Sequence, residues 1–345
     1  MTLKHGLPIL LGSLVLCAAC LPFPNLHPML CLKINHDLIS NPYGEQLWSV
    51  QDIYAYGPYD GTLLASGPGR LFVVANSPSY PGPHLLSYDT LTGSLLSQRL
   101  VDLPILLFLS DGKLYVGQHD EIGVFDSMTG SLLEEFSIPK AGIIESLYQR
   151  GDKFYIYGNT GRFIVFDTSV MKTVTTTEPN FLEHVFLIDD NITYSHKGNE
   201  LIAFNGSSGA VVWQAEMNEP FTDPVFQNDM IFIRTGSSIY TSGISAINRS
   251  TGVVVWKKDL NIIISNVVAQ NSELYFLTVD GFLIVLDQQT GQEIGKMQFT
   301  SAPFLLNDTQ YAIGGYYVSA DTDNKIIIVS LGDSCQLFGV KLQKE

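Results

Sequence analysis

Tyr88-Asp89-Thr90-Leu91-Thr92-Gly93 is followed by a close copy of itself, Phe125-Asp126-Ser127-Met128-Thr129-Gly130. The phrase returns as Phe204-Asn205-Gly206-Ser207-Ser208-Gly209, Ile247-Asn248-Arg249-Ser250-Thr251-Gly252 and Leu286-Asp287-Gln288-Gln289-Thr290-Gly291. A weaker copy, Phe166-Asp167-Thr168-Ser169, has lost its glycine. The anchors at 89, 126, 167, 205, 248 and 287 are separated by 37, 41, 38, 43 and 39 residues. A period of about 40 residues, with room for four short strands per unit, is the signature of a β-propeller.

Working outward from the second copy, each unit divides into four strands. Ile105–Phe108, Lys113–Val116, Ile122–Phe125 and Leu132–Phe136 are the predicted strands of one unit, with Asp111-Gly112 as a hairpin turn. Asn266–Ala269, Leu274–Thr278, Leu283–Leu286 and Ile294–Phe299 repeat the plan. Asp-Gly and Thr-Gly between β-rich runs mark hairpins, because glycine takes positive φ at little cost. The middle strands are nearly continuous apolar runs, as expected for sheets covered on both faces. Six anchors predict six blades. A seventh is assembled from the remainder, with Tyr311–Val318 and Lys325–Val329 read as its second and third strands. Its outermost strand is either Gln336–Leu342 or Tyr43–Trp48, which copies the stretch from the turn to the fourth strand. The latter would share one blade between both chain ends and leave no open seam. The prediction is an all-β propeller of seven four-stranded blades, closed by N- and C-terminal segments. Trp48, Trp213 and Trp256 lie at one offset from Gly44, Gly209 and Gly252, which points to a packing device between blades.

The phrase Asp/Asn-x-x-Thr/Ser-Gly-x-x-x-Trp resembles the PQQ-like repeat of quinoprotein dehydrogenases. The same repeat occurs in non-enzymatic propellers of the BamB type, lipoproteins of the outer-membrane β-barrel assembly machinery. The resemblance covers roughly residues 40–345, and it implies that the tryptophans dock neighbouring blades. It is specific for fold and unspecific for activity, since one fold hosts many roles. The adjacent cysteines often found beside the quinone in alcohol dehydrogenases are missing, as is the Cys-x-x-Cys-His of an attached haem domain.

The chain begins with a basic start, Lys4-His5, and an apolar run from Gly6 to Leu16, the length of a signal-peptide core. Cys17-Ala18-Ala19-Cys20 resembles a lipobox, which implies cleavage before Cys20 and a diacylglycerol on its thiol. An ordinary signal peptide is the alternative. The predicted organisation is a signal peptide at 1–19, a tether at 20–40 and the propeller at 41–345. Export permits disulfides. Cys31 and Cys335 sit near the two ends of the mature chain, and a propeller brings its ends together, so a Cys31–Cys335 bridge is expected.

Formal net charge is -15; loss of Lys4 with the signal segment leaves 18 basic against 34 acidic residues, or -16. Such a balance argues against nucleic acid, whose phosphates demand a basic footprint. The seven histidines form no metal-spaced pair, and neither Gly-x-Ser-x-Gly nor His-Glu-x-x-His occurs. Asp321-Thr322-Asp323-Asn324 concentrates oxygen ligands, but it lacks the rest of a calcium loop and reads as a polar turn.

In a propeller, the loops between second and third strands share one face with the connections between blades, opposite the Thr-Gly turns. The longest such loop runs from Asn76 to His84. Tyr80, His84, His119, Asp120, Glu121, Arg162, His196, Lys197, Tyr240 and Asp280 form the candidate binding face around the central mouth. The expected function is a non-catalytic, extracytoplasmic, lipid-anchored scaffold or assembly factor. It would be monomeric, with a protein or peptide partner, no cofactor and no metal. Two alternatives stand beside it. A sugar- or polymer-binding surface propeller would use Tyr80 and Tyr240 for stacking, and a quinone-dependent enzyme would use the mouth residues.

Overall fold

Alternating hairpin turns and apolar runs fold each repeat into an antiparallel sheet. The computed structural model describes residues 44–343 apart from several short stretches, the longest being 56–63, 178–183 and 300–315. The signal segment, the tether, Cys20 and Cys31 lie outside the described residues, as do Cys335 and Tyr240. Seven sheets are present. Blade 2 is representative, with strands Leu106–Ser110, Lys113–Gln118, Glu121–Asp126 and Leu132–Ser137 in that order from centre to rim. Blade 3 runs from Ile144 to Thr177, blade 4 from His184 to Glu216, blade 5 from Val225 to Leu260 and blade 6 from Val268 to Gln298. In blade 1 the innermost position is divided between Tyr54–Ala55 and Leu64–Gly67, both paired to Arg70–Ser77.

First strands touch their neighbours around the centre from blade 1 through blade 4 and from blade 5 through blade 7 back to blade 1. Blade 7 sits between blades 6 and 1, and its order corrects the sequence reading by one position. Tyr316–Asp321 is the innermost strand, not the second. Ile326–Leu331 is the second and Gln336–Leu342 the third. Gly44–Val50 is the outermost, pairing antiparallel with the C-terminal strand from Gly44↔Leu342 to Val50↔Leu337. Both candidate terminal segments are used, because the amino-terminal strand takes the rim and shifts the others inward.

The core lies between blades. Leu71, Val73 and Leu86 of blade 1 pack on Ile326, Ile328 and Leu337 of blade 7. Tyr115, Ile122 and Val124 of blade 2 pack on Phe154, Ile156 and Ile164 of blade 3, with Phe136 edge-on to Phe154 at 5.3 Å between ring centres. Middle strands are buried on both faces because each sheet has a neighbour on either side, which is why they read as unbroken apolar runs.

A second correction concerns the loop expected from Asn76 to His84. The chain instead continues as strands Arg70–Ser77 and Tyr80–Asp89, paired as far as Ser77↔Tyr80. Pro81 and Pro83 are tolerated because they lie beyond the last pair with the rim strand, His84↔Leu100, and beside a register shift between Ala75 and Ser77. Likewise the segment 235–243 is mostly strand, with Thr235↔Gly243 and Ser238↔Thr241 paired.

Candidate binding surfaces of the propeller

The Thr-Gly turns owe their shape to one side chain each. Asp126 Oδ1 accepts from Met128 N at 3.1 Å, Thr129 N at 2.6 Å and Thr129 Oγ1 at 2.8 Å. Asp89, Asn248 and Asp287 make the same three bonds in their own turns. The Thr129 hydroxyl, then its N–H, holds the Asp126 carboxyl below the usual carboxylate range. The Thr290 hydroxyl does the same for Asp287, and the Ser169 hydroxyl for Asp167. The repeat therefore recurs because an Asx turn needs an oxygen at the first position and a hydroxyl three residues on.

Glycine closes the turn with φ of 69° at Gly93 and Gly130 and 72° at Gly252. In the weak copy the equivalent residue is Met171, which takes the same left-handed conformation with φ of 55°. Each tryptophan lies against the next blade's turn. Trp48 Nε1 donates to Thr90 O at 2.7 Å, Trp213 Nε1 to Arg249 O at 2.9 Å, and Trp256 Nε1 to Gln288 O at 2.9 Å. A Cβ on Gly93, Gly252 or Gly291 would fall 2.6–2.7 Å from the matching indole.

The junction of blades 7 and 1 has a polar latch that the sequence did not reveal. Asp321 is fully buried. Its Oδ2 accepts from Thr90 Oγ1 at 2.5 Å, Gly69 N at 3.0 Å and Asn324 Nδ2 at 2.9 Å. Its Oδ1 accepts from Asp323 N at 3.2 Å and Asn324 N at 3.3 Å. N–H and O–H donors thus face both oxygens, which suits a turn joining two blades rather than a cation. On the other side of blade 7, Asn266 bonds both the N–H and the carbonyl of Val318, at 2.8 and 2.9 Å.

The face opposite these turns carries the residues singled out from the sequence. His119, Asp120, Glu121 and Lys197 are exposed, whereas His84, Arg162, His196 and Asp280 are half-buried. Tyr80 is placed by its backbone pairing with Ser77. Backbone carbonyls of these hairpins are already engaged: Asp120 O accepts from Ile138 N at 2.6 Å, and His119 O from Ile144 N at 3.1 Å. The His196 ring meets Phe221 edge-on at 5.6 Å. Acidic Asp120 and Glu121 lie in blade 2 and Asp280 in blade 6, with basic Arg162 and Lys197 in blades 3 and 4 between them, so the face has no single sign of charge. Among the described residues no group of three or more His, Cys, Asp or Glu is arranged to hold a metal.

On the turn face, a cleft of about 270 Å³ opens between blades 1 and 2, lined by Ser66, Arg70, Leu109, Asp111 and Ser127. Arg70 bridges the two blades there, with Nη2 donating to Met128 O at 3.3 Å and Nη1 4.0 Å from Asp89 Oδ2.

Seven units on a recurring Asx–glycine turn, docked by tryptophan, define the chain as a seven-bladed β-propeller. Residues 171–328 match the family model described as outer membrane protein assembly factor BamB. The solved structure of BamB from Moraxella catarrhalis is similar at 14% identity, covering 86% of this chain and 99% of that one with a TM-score of 0.50. A chain of a mitotic checkpoint complex is similar at 13% identity, covering 92% of this chain and 99% of that one with a TM-score of 0.66. At these identities the likeness is one of fold. No protein of curated function matches the chain in sequence.

Proposed function

We propose that this chain is an exported propeller, anchored to lipid through Cys20, that holds a protein or peptide partner outside the cytoplasm as a scaffold or assembly factor. The match of residues 171–328 to an assembly-factor family carries this reading. One of the similar solved structures named above is likewise of a complex. The surface suits the role. Rim strands offer backbone edges flanked by exposed apolar side chains, such as Val211 and Val212 in blade 4 and Val254 and Val255 in blade 5. Such edges accept an added strand or an apolar patch.

The test is a cross-linked pull-down of the tagged chain from native membranes, read by mass spectrometry. One stoichiometric partner is the expected result. Recovery of the chain alone under efficient cross-linking would refute the scaffold reading. Cys20→Ser should move the protein from the membrane to the soluble fraction; wild type found already in the soluble fraction would refute the anchor.

A further inference from the structure

The turn face is not uniform around the ring. Two residues past the anchor, blades 1 and 2 carry Leu91 and Met128; blade 3 has Ser169 there and exposes Val170 and Met171 at the next two positions, the four apolar side chains being between 49% and 61% exposed. In blades 5 and 6 the position two past the anchor carries Ser250 and Gln289, and blade 5 exposes Val253 one residue beyond its glycine. The sector differs in charge as well. The anchor carboxylates of blades 1–3 lie opposite cations in the ladder, as Arg70↔Asp89, Lys113↔Asp126 and Lys153↔Asp167. Blades 4 and 5 have neutral anchors, Asn205 and Asn248, facing Ile192 and Met230, and blade 6 places Glu273 opposite Asp287. In this sector each anchor carboxylate therefore faces a cation and apolar side chains project beside it, while Asp111 and Asp152 are exposed in the neighbouring hairpin turns of blades 2 and 3.

The amino-terminal segment joins the ring at this same place. Gly44 holds the position that Gly93 and Gly252 hold in their units, so the strand Gly44–Val50 starts from the turn face. Trp48 fastens it to Thr90 in the turn of blade 1. Whatever tethers the chain through residues before Gly44 thus pulls on the edge of the apolar sector.

We infer that the turn face of blades 1–3 rests on the lipid bilayer. Leu91, Met128, Val170 and Met171 would enter the interfacial layer, and Lys113, Lys153 and Arg70 would lie at the level of the lipid phosphates. Apolar side chains beside basic ones are what an interfacial surface requires, and the facing cations offset the three anchor carboxylates. The opposite face would then be presented away from the membrane. The inference rests on the anchoring proposed above only for the source of the bilayer.

The experiment supplies its own tether. The full chain with an amino-terminal histidine tag is captured on phosphatidylethanolamine vesicles containing a nickel-chelating lipid and a phosphatidylcholine with a diazirine in its acyl chain. After illumination, labelled peptides are mapped. Peptides bearing Leu91, Met128 and Val170–Met171 should be labelled at least about tenfold more than those bearing His119–Glu121 or Lys197. Leu91→Ser/Met128→Ser/Val170→Ser should abolish that preference while its melting curve stays that of wild type. Lys113→Glu/Lys153→Glu, which leaves the tips intact, should weaken it. Equal labelling of the two faces, labelling of the opposite face, or undiminished labelling of the triple variant would overturn the inference. A native Cys20 without lipid mass would refute the anchor alone, because capture here depends only on the tag.

Discussion

Gly93 and Gly130 share one backbone conformation but not one neighbour, and this pair isolates what tryptophan docking contributes. Both have φ of 69°. An alanine at either site meets the same left-handed penalty of about 1–2 kcal/mol, partly offset by the lower entropy of the unfolded chain. At Gly130 the added Cβ would lie 3.0 Å from Ser97 Oγ, a side chain that can rotate away. At Gly93 it would lie 2.6 Å from Trp48 Cδ2. Trp48 cannot yield. Its ring is backed by Gly339, where a Cβ would fall 2.2 Å away, and its Nε1 is bonded to Thr90 O. Overpacking at such a site costs about 1–3 kcal/mol beyond the backbone term. Gly130→Ala is therefore expected to cost about 1 kcal/mol and Gly93→Ala about 2–5 kcal/mol. Met171 supplies the converse, since it occupies the same conformation with no tryptophan in front of it: blade 2 has Glu134 at that offset. Met171→Gly should gain about 0.5–1 kcal/mol. The assay is urea unfolding followed by far-UV circular dichroism. Equal losses for Gly93→Ala and Gly130→Ala, or a loss for Met171→Gly, would refute the account of the turn.

Other expectations follow from the same geometry. Asp321→Ala leaves the Thr90 hydroxyl and Gly69 N–H buried without an acceptor, so it should destabilise by about 3 kcal/mol or more, with limited proteolysis opening the chain first at the junction of blades 7 and 1. Trp213→Phe keeps most of the packing but removes the bond to Arg249 O, and denaturation should show a loss of about 1 kcal/mol. The carboxyls of Asp126, Asp167 and Asp287 have pKa values lowered by folding. Their stabilisation is present above the unfolded carboxylate pKa and is lost as pH falls through the folded values. Asp126→Asn/Asp167→Asn/Asp287→Asn retains the Asx acceptor, as Asn248 does naturally. It should match wild type near neutrality and lose less stability on acidification, read as urea midpoints across the acid range.

The propeller was legible because its turn is a local object. Asp126 reaches Thr129 three residues away, Gly130 follows at once, and each blade needs the same solution, so spacing alone announced the fold. The tryptophan offset was legible for the same reason: a dock repeated between equivalent blades leaves a repeated mark. The turn conformation outlasted its glycine, as Met171 shows, because no indole from blade 2 excludes a side chain there. By contrast, the extension of blade 1 through Tyr80 was hidden by Pro81 and Pro83. Those residues signal a loop locally and are permitted only because the rim strand stops at Leu100.

By itself, then, the sequence determined the six anchored blades, their turns and the apolar middle strands, all of which depend on neighbours within one unit of about 40 residues. Tertiary structure alone decided which strand fills which place in blade 7, that Asp321 serves Thr90 and Gly69, and that Leu91, Met128 and Met171 share a face with the start of the Gly44 strand. Those outcomes depend on residues of blades 7 and 1 brought together from opposite ends of the chain. The partners across that junction carry no common spacing, so no periodicity records them.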